Sequence, residues 1–300
     1  MDYDILVTGG VCCDMIFSGV NSVPVYGTEI WADQLKITVG GIFNVAAASA
    51  RLGMKVALPC VLGTDMFSGV IRKAMCKENV CQDFVEEINE HFDQISVVLN
   101  YGFERAFVSY VKKRDVSSLD EYMRIVRENR FRAYIVCPNP DPKILDVMRE
   151  AKKNGALIVM DCYWDEELMQ GEVLREQMKL ADYFLPNAME ACAISGEEVM
   201  VKAMTKLSKM TNHLIVKNGD HGVLFYRNGK IETMDAVHLG EAVDTTGAGD
   251  NFVAGFTYGL LQGYPLEKAL RCGAICGAKS VTAISGFENS IYREELEELL

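Results

Sequence analysis

The residue types in the stretch 244–250 suit acid–base chemistry beside an anion. The stretch reads Asp-Thr-Thr-Gly-Ala-Gly-Asp, and from Phe252 onward apolar residues recur at helical spacing. Gly247 and Gly249 permit a tight turn and the close approach of a ligand, and the first amides of the following helix would face an anion. Asp250 is placed to accept a hydroxyl proton during phosphoryl transfer. The structural alternative is an aspartate that only complements the helix dipole.

This stretch resembles the C-terminal signature of the ribokinase-like (PfkB) carbohydrate kinases, which transfer the γ-phosphate of ATP to a hydroxyl of a sugar or nucleoside. The resemblance implies that Asp250 is the catalytic base and that Thr245 contacts the nucleotide. It also implies an anion hole made by three amides, those of Gly247, Ala248 and Gly249.

Two N-terminal features resemble the sugar-binding side of the same family. Asp14 is the one acid of an apolar, extended stretch, and its carboxylate can accept hydrogen bonds from two hydroxyls. Gly40, Gly41 and Asn44 form a GGxxN pattern before an Ala-rich helix that ends at Gly53. The resemblance implies that these four polar and glycine positions, at 14, 40, 41 and 44, bind the acceptor. The alternatives are a strand-edge aspartate and an ordinary turn with an asparagine at a helix N-cap.

Short apolar segments without helical period lie at 21–39 and 95–111, and they predict small β-structure. In the family such segments form a lid over the sugar and often a dimer contact. The resemblance therefore implies lid segments at approximately 12–38 and 93–112, and it raises a homodimer through the lid.

From residue 133 onward, strands and helices alternate, which predicts βαβ units and a parallel sheet. Ligands of such sheets bind beyond the carboxyl ends of the strands. Asn139, Asp161 and Asn187 each follow a strand, and Asn139 is a candidate for the acceptor pocket. We expect residues 1–300 to form a single ribokinase-like domain: a three-layer α/β/α sandwich with a mostly parallel central sheet and a small β-sheet lid.

Two further motifs concern the nucleotide. Asn187 and Glu190 share one face at a helix start, where they are either a capping pair or the family's N-x-x-E motif. By resemblance, Asn187 contacts phosphates and Glu190 holds the water shell of Mg²⁺. Lys217 ends a strand that runs into a glycine loop, where it can neutralise phosphate charge and Gly219 can approach the nucleotide. The alternative is a surface hairpin with a solvated lysine.

Metal and cofactor expectations follow from the same resemblance. ATP and Mg²⁺ are implied. Asp244 and Thr246, with the loop through Asn289 and Ser290, would surround a monovalent cation such as K⁺ where the family has one. The sequence does not establish that cation.

Composition excludes several other classes of protein. The apolar fraction of 49% supports a sizeable core, and the net charge of −12 disfavours a nucleic-acid partner. The sequence contains no run of about 18 apolar residues, so we expect no membrane span. The N-terminus has no basic segment of a signal peptide. Ten scattered cysteines without a CxxC pattern favour a reduced cytoplasmic chain over a zinc protein.

The segment 161–165 departs from the family's Asp-x-Asn-x-Arg pattern, because Tyr163 and Asp165 stand where Asn and Arg would be. Nothing in the sequence selects among ribose, fructose, ketodeoxygluconate and a nucleoside. Trp31, Tyr101 and Tyr163 can stack on a base or a sugar face, which keeps a nucleoside kinase open. A non-catalytic sugar or nucleoside sensor on the same scaffold is the rival from another class. A nicotinamide dehydrogenase is a distant third, since GxGxxG is missing.

Overall fold

The structure is a computed structural model that describes residues 2–101, 105–112, 118–284 and 286–300. The strands in these ranges are β1 (Asp2–Thr8), β2 (Val11–Ser18), β3 (Gln34–Gly41), β4 (Val56–Ala57), β5 (Cys60–Leu62), β6 (Val85–Glu87), β7 (Gln94–Asn100), β8 (Arg105–Val111), β9 (Arg130–Val136), β10 (Leu157–Met160), β11 (Tyr183–Phe184), β12 (His213–Lys217), β13 (Val223–Arg227) and β14 (Lys230–Met234). The helices are α1 (Phe43–Arg51), α2 (Met66–Lys77), α3 (Ser118–Glu128), α4 (Lys143–Lys153), α5 (Glu166–Gln170), α6 (Glu172–Leu180), α7 (Ala188–Ser195), α8 (Met200–Leu207), α9 (Ala248–Leu261), α10 (Leu266–Ser280) and α11 (Arg293–Leu299), and a 3₁₀ turn spans Gly219–His221.

The main sheet is mostly parallel and is covered by helices on both faces. Its strand order is β14-β13-β12-β11-β10-β9-β1-β4, and only the hairpin β13–β14 at one edge runs antiparallel. Side chains alternate across a strand, so Ile5 and Val7 join the core with α1, α9 and α10, whereas Leu6 joins the core with α3, α4 and α6. The three-layer α/β/α sandwich expected from the sequence is confirmed.

A separate four-stranded sheet, in the order β3-β2-β7-β8, forms the lid. Its register places Asp14 opposite Thr38 on one side and Ser96 on the other, so these three side chains share a face. The opposite face bears the exposed apolar side chains of Ile37 and Val108. The small β-sheet lid is confirmed as part of the fold.

The expected lid segment at 12–38 contains most of β2 and of β3, but the small β-structure predicted for 21–39 begins only at Gln34. Residues 21–33 form no strand. Pro24 lacks an amide hydrogen for pairing and Gly27 has a φ of +77°, so this stretch cannot pair as a regular strand. Residues 102–104 of the second expected lid segment lie outside the described residues, as does Met1 of the expected domain.

Candidate functional site

Three polar residues lie at the carboxyl end of the main sheet, as the strand pattern predicts. Asp161 follows β10, Asn187 follows β11, and Lys217 is the last residue of β12. Parallel neighbours bring these ends together, and a β-bridge joins Asn187 to Lys217. The sheet alone therefore assembles a carboxylate, an amide and an ammonium at one edge.

The turn at 244–250 lies above this edge and opens α9. Gly247 caps the helix with a φ of +75°, and a Cβ there would collide with the carbonyl of Gly286, so only glycine fits. Asn251 holds the turn in place, because its amide nitrogen donates to the carbonyls of Gly247 (2.8 Å) and Gly286 (2.7 Å). Asp250 falls in the first turn of the helix, as expected.

The three amides assigned to the anion hole are not equivalent. The Ala248 N–H already donates to the carbonyl of Thr245 at 3.3 Å. The N–H groups of Gly247 and Gly249 make no hydrogen bond to any of the described residues. Because the N-terminus of a helix favours negative charge, these two amides are the better candidates for contact with an anion, and the assignment stays a prediction.

Lys217 lies directly beneath this turn. Its ammonium Nζ is 2.6 Å from Oδ1 of Asp161, and a Cβ on Gly249 would lie 3.1 Å from the same nitrogen. The side chain is only 13% exposed, so the solvated surface lysine of the alternative interpretation is wrong. Burial lowers the pKa of Lys217, but the Asp161 and Glu190 carboxylates outweigh burial and leave the pKa above its ordinary value.

Asn187 and Glu190 form the capping box that the sequence left as an alternative. The Glu190 N–H donates to Oδ1 of Asn187 (2.9 Å), and the Asn187 N–H donates to Oε2 of Glu190 (2.7 Å). Both residues nevertheless line the same cavity as Lys217 and Asp250. Capping fixes the rotamers of the two side chains at the cavity wall, so the structural and functional interpretations are compatible.

The cavity beside these residues has a volume of about 450 Å³. Its polar end is lined by Asp161, Asn187, Glu190, Lys217 and Asp250. Its wall also includes the apolar side chains of Val223, Val237, Leu239, Phe252 and Val281. Gly219 and Thr245, both predicted to contact a nucleotide, also lie in its wall. A cavity whose wall combines charged and apolar side chains suits a ligand with a charged tail and a flat apolar head.

Asp250 connects this cavity to the lid side of the molecule. Its Oδ2 accepts a hydrogen bond from Nδ2 of Asn44 at 2.9 Å. The Oδ1 of Asn44 is buried and has no hydrogen-bond partner within the described part of the chain. A buried acceptor without a donor is costly in an empty site, so Asn44 has the character of a group that completes its hydrogen bonds with a ligand.

Asp14 lies on β2 with its carboxylate against Gly40. A Cβ at Gly40 would occupy the position of that carboxylate, and a Cβ at Gly41, whose φ is +65°, would collide with the carbonyl of Gly10. Glycine at these positions therefore makes room for Asp14 and for neighbouring backbone. The sequence analysis had expected it to make room for a ligand. Their contact with an acceptor stays a prediction.

Asn139 has a local role in the structure. Its Oδ1 accepts from the Asp141 N–H at 2.9 Å, and its backbone pairs with the amide of Gln177. The side chain is thus used in an Asx turn, and nothing in the structure links it to Asp14, Asn44 or Asp250. Its assignment to the acceptor pocket stays a prediction.

Arg105, on lid strand β8, is a site residue that the sequence analysis missed. Its guanidinium donates to Oδ1 of Asp244 (3.1 Å), to the hydroxyl of Thr246, and to the hydroxyl of Thr245 (2.6 Å). The partners are 139 to 141 residues away in the chain, and sequence spacing carries no signal over that distance. Three of the residues predicted from the 244–250 signature are thus held by the lid.

The carboxylates of this region influence one another. Burial, reinforced by the Asp161 carboxylate, raises the pKa of Asp250 to about 6. Burial also raises the pKa of Glu190, which Lys217 partly opposes. On the lid, burial raises the pKa of Asp14 to about 6, although a hydrogen bond from the Cys12 thiol at 3.1 Å acts in the other direction.

The charge balance at the polar end fits a divalent cation. Asp161, Glu190 and Asp250 supply three carboxylates, and Lys217 supplies one ammonium, so ionised side chains leave an excess of negative charge. In the described ranges, no three His, Cys, Asp or Glu side chains are grouped so as to hold a metal by themselves. Mg²⁺ suits such a site, since it is held by one or two carboxylates together with water and substrate phosphates.

Across the described part of the chain, no helix is both long enough and apolar enough to span a membrane.

Comparisons with known proteins agree with this geometry. The sequence profile described as "pfkB family carbohydrate kinase" matches residues 4–290. A ribokinase of Haemophilus influenzae is 27% identical over 316 residues, which cover 98% of this chain and 97% of that protein. Arabidopsis thaliana ribokinase, solved in complex with ribose and ATP, superposes with a TM-score of 0.85 at 23% identity over 100% of this chain and 99% of that chain. Burkholderia thailandensis nucleoside kinase in complex with inosine gives a TM-score of 0.80 at 19% identity over 98% and 97% of the two chains.

Proposed function

The chain belongs to the pfkB family of carbohydrate kinases, and we propose that it transfers the γ-phosphate of ATP to a hydroxyl of a small sugar or nucleoside with Asp250 as the general base. The observation that carries this proposal is the position of Asp250. Its carboxylate lies in the first turn of α9, lines the cavity of about 450 Å³, and accepts from Asn44 on the lid side. One carboxylate therefore borders both the nucleotide cavity and the acceptor side.

The cavity supports ATP as the donor. Its apolar side chains offer contacts for an adenine ring, and its charged side chains offer contacts for phosphates, with Lys217 and Asn187 among the lining residues. When bound, Mg²⁺ would neutralise phosphate charge, with Glu190 holding its water shell. The similar ribokinase solved in complex with ribose and ATP supports the same donor.

In the proposed reaction the acceptor hydroxyl gives its proton to Asp250, and its oxygen forms a new bond to the γ-phosphorus. The bond from that phosphorus to the β–γ bridging oxygen breaks, and ADP leaves with the electron pair. The free N–H groups of Gly247 and Gly249 stabilise the charge on the transferring group. Most of the rate enhancement comes from positioning and electrostatics, since the loose transition state leaves little covalent work for the protein.

The acceptor is proposed to bind between the lid and α1. The Asp14 carboxylate and Oδ1 of Asn44, which has no hydrogen-bond partner among the described residues, can both accept hydrogen bonds, and a polyhydroxylated ring supplies the donors. Both a sugar and the ribose of a nucleoside satisfy this requirement. A non-catalytic sensor remains the alternative from another class, but a binder would have no use for a base held between two ligand sites.

We also propose that two copies associate through the lid. Its outer face exposes Leu35 (53%), Ile37 (43%), Val108 (67%) and Tyr110 (56%), an apolar group on one side of the sheet. Contiguous exposed apolar surface marks an interaction site. Sedimentation velocity of wild type and Val108→Glu tests this: we expect a dimer that becomes a monomer in the variant, and a wild-type monomer would contradict the proposal.

The test of the proposed function is release of ADP from Mg-ATP in the presence of pentoses, hexoses, keto-deoxy acids and nucleosides. We expect one acceptor class to give ADP, and Asp250→Asn to abolish it while nucleotide binding persists. Folded protein that binds ATP and a sugar but turns over with no acceptor would instead favour the sensor. Asp146→Asn, an exposed aspartate on α4, is the matched control.

A further inference from the structure

Arg105 reaches from the lid to the loop that begins the 244–250 signature. The side chain is 21% exposed, and the Asp244 carboxylate with which it pairs is 3% exposed. A carboxylate buried to this extent requires a positive partner. In the described structure Arg105 supplies that charge, and it also donates to the hydroxyls of Thr245 and Thr246.

The side-chain oxygens expected around a monovalent cation are engaged within the protein. Oδ1 of Asp244 accepts from Arg105, from the Thr246 N–H at 2.9 Å and from the Thr246 hydroxyl at 2.6 Å. The Ser290 hydroxyl donates to Oδ1 of Asn251 at 2.5 Å. The amide nitrogen of Asn289 donates to the Lys279 carbonyl. These side chains therefore do not form an oxygen cage that fits K⁺.

We infer that the Arg105 guanidinium is the fixed cation of the Asp244–Thr246 loop, so that this chain neither requires nor responds to K⁺. The inference rests on the proposed function and specifies the ion requirement of that same site. A guanidinium suits this role because it keeps its charge at any physiological pH, is weakly hydrated, and presents several donors in a rigid fork. Three oxygens of one short loop match that fork.

Arg105 lies on the lid, whereas the carboxylate that it pairs with lies on the body. The residue begins β8, directly opposite Asn100 at the end of β7, so the charge belongs to the lid and not to the body. A soluble cation would remain bound wherever the lid lies. When Arg105 pairs with Asp244, it compensates the carboxylate charge and at the same time holds the lid against the 244–250 turn.

The test is thermal unfolding of the full chain in potassium chloride and in tetramethylammonium chloride at equal ionic strength. We expect the Tm of wild type to agree between the two salts within about 1 °C. Arg105→Met should lower the Tm by roughly 5 °C or more in tetramethylammonium, because it removes a charged partner of a buried carboxylate. Potassium should restore part of that loss by binding at the vacated position.

The matched control is Arg124→Met on α3, whose exposed ion pairs with Glu121 and Glu128 should make its Tm insensitive to either salt. A wild-type Tm that rises with potassium concentration would overturn the inference. So would an Arg105→Met variant that ignores potassium, because the guanidinium would then not stand in place of a cation. If Arg105→Met does not fold, Arg105→Gln is measured with the same expectations.

This readout needs neither an acceptor nor turnover, so its outcome is independent of whether the kinase assay succeeds. Once an acceptor is known, ADP measured by chromatography in the two salts gives a second test. The wild-type rates should differ by less than about twofold, since no ion-binding energy separates the two conditions.

Discussion

The edge of the main sheet and the lid contribute to the same site by different means. Asp161, Glu190 and Lys217 are buried at the ends of core strands or in a helix cap, and each is held by a partner within the body of the molecule. Asp14 and Arg105 lie on a sheet with a largely exposed outer face. The body is held together by the folding core, whereas the lid meets the body through buried apolar residues such as Val11 and Val39 and through a few polar contacts.

Those few contacts are spread along one side of the lid. Lys36 donates to the Ile284 carbonyl (2.7 Å) and pairs with Glu288 (2.8 Å), Thr38 donates to Glu288 (3.2 Å), and Arg105 reaches Asp244. With the roles proposed for Asp250, Asp14 and Arg105, phosphoryl transfer depends on the body, and acceptor choice and ion requirement depend on the lid. Changes in the two regions should therefore alter different kinetic constants.

The largest effect is expected on the body side. Asp250→Asn should lower kcat by at least ~10²-fold, because the amide retains the shape and the hydrogen bond from Asn44 but cannot take the hydroxyl proton. Binding of ATP and acceptor, measured by calorimetry, should change little. Near-normal turnover would show that Asp250 is not the base.

A smaller effect is expected from the isosteric change on the lid. Asp14→Asn should raise the KM for the phosphate-accepting substrate by about 10- to 100-fold. A neutral amide accepts weaker hydrogen bonds from the substrate hydroxyls than a carboxylate does. The KM for ATP should stay as in wild type. Steady-state kinetics on Asp250→Asn and Asp14→Asn test this. If both variants lowered kcat alone, the two residues would not have the different roles proposed for them.

The pH dependence of kcat/KM should reveal the ionisation of both Asp14 and Asp250. Asp14 and Asp250 both have a pKa of about 6, and each must be ionised to act as proposed. Below pH 6 the kcat/KM for the acceptor should therefore fall by roughly tenfold per pH unit for each group, approaching a slope of two. Asp14→Asn should reduce that limiting slope to one. A slope of two in the variant would exclude Asp14 from the profile.

The sequence predicted the body more fully than the lid, for physical reasons. The ends of parallel strands meet by necessity, so Asp161, Asn187 and Lys217 could be placed at one edge from strand order alone. The glycine at 247 was predictable because a tight turn needs a positive φ. Each of these inferences uses local spacing or a general rule of sheet topology.

The lid offered no such rule. Arg105 reaches its partners across more than a hundred residues, and its role depends on how the lid seats on the body. Gly40 was expected to let a ligand approach, and that contact stays a prediction; what the sequence did not reveal is that Asp14 fills the space its missing Cβ leaves. The roles of such residues depend on which strands pair and on how side chains pack across the sheet. The sequence of a single strand predicts neither.

The smallest predicted effect concerns stability. In the folded chain the pKa of Asp250 is about 6, above the value of about 3.9 for an unfolded aspartate. The native state therefore holds its proton more tightly, and the free energy of unfolding falls as pH rises through the window from about 4 to 6. Asp250→Asn removes that titration, so at pH 8 it should stabilise the protein by about 1–2 kcal/mol, or roughly 2–6 °C in Tm.

The same reasoning applies to Asp14, whose pKa is also about 6 because of burial. The stability gain at pH 8 should therefore appear in both isosteric variants, although their kinetic effects differ, and it should vanish in both below pH 4, where the native and unfolded carboxyls are protonated alike. Asp146→Asn, exposed on α4, should show no gain at either pH. A gain confined to Asp250→Asn would mean that Asp14 is ionised without cost, and that the lid is more hydrated than the contacts of β2 indicate.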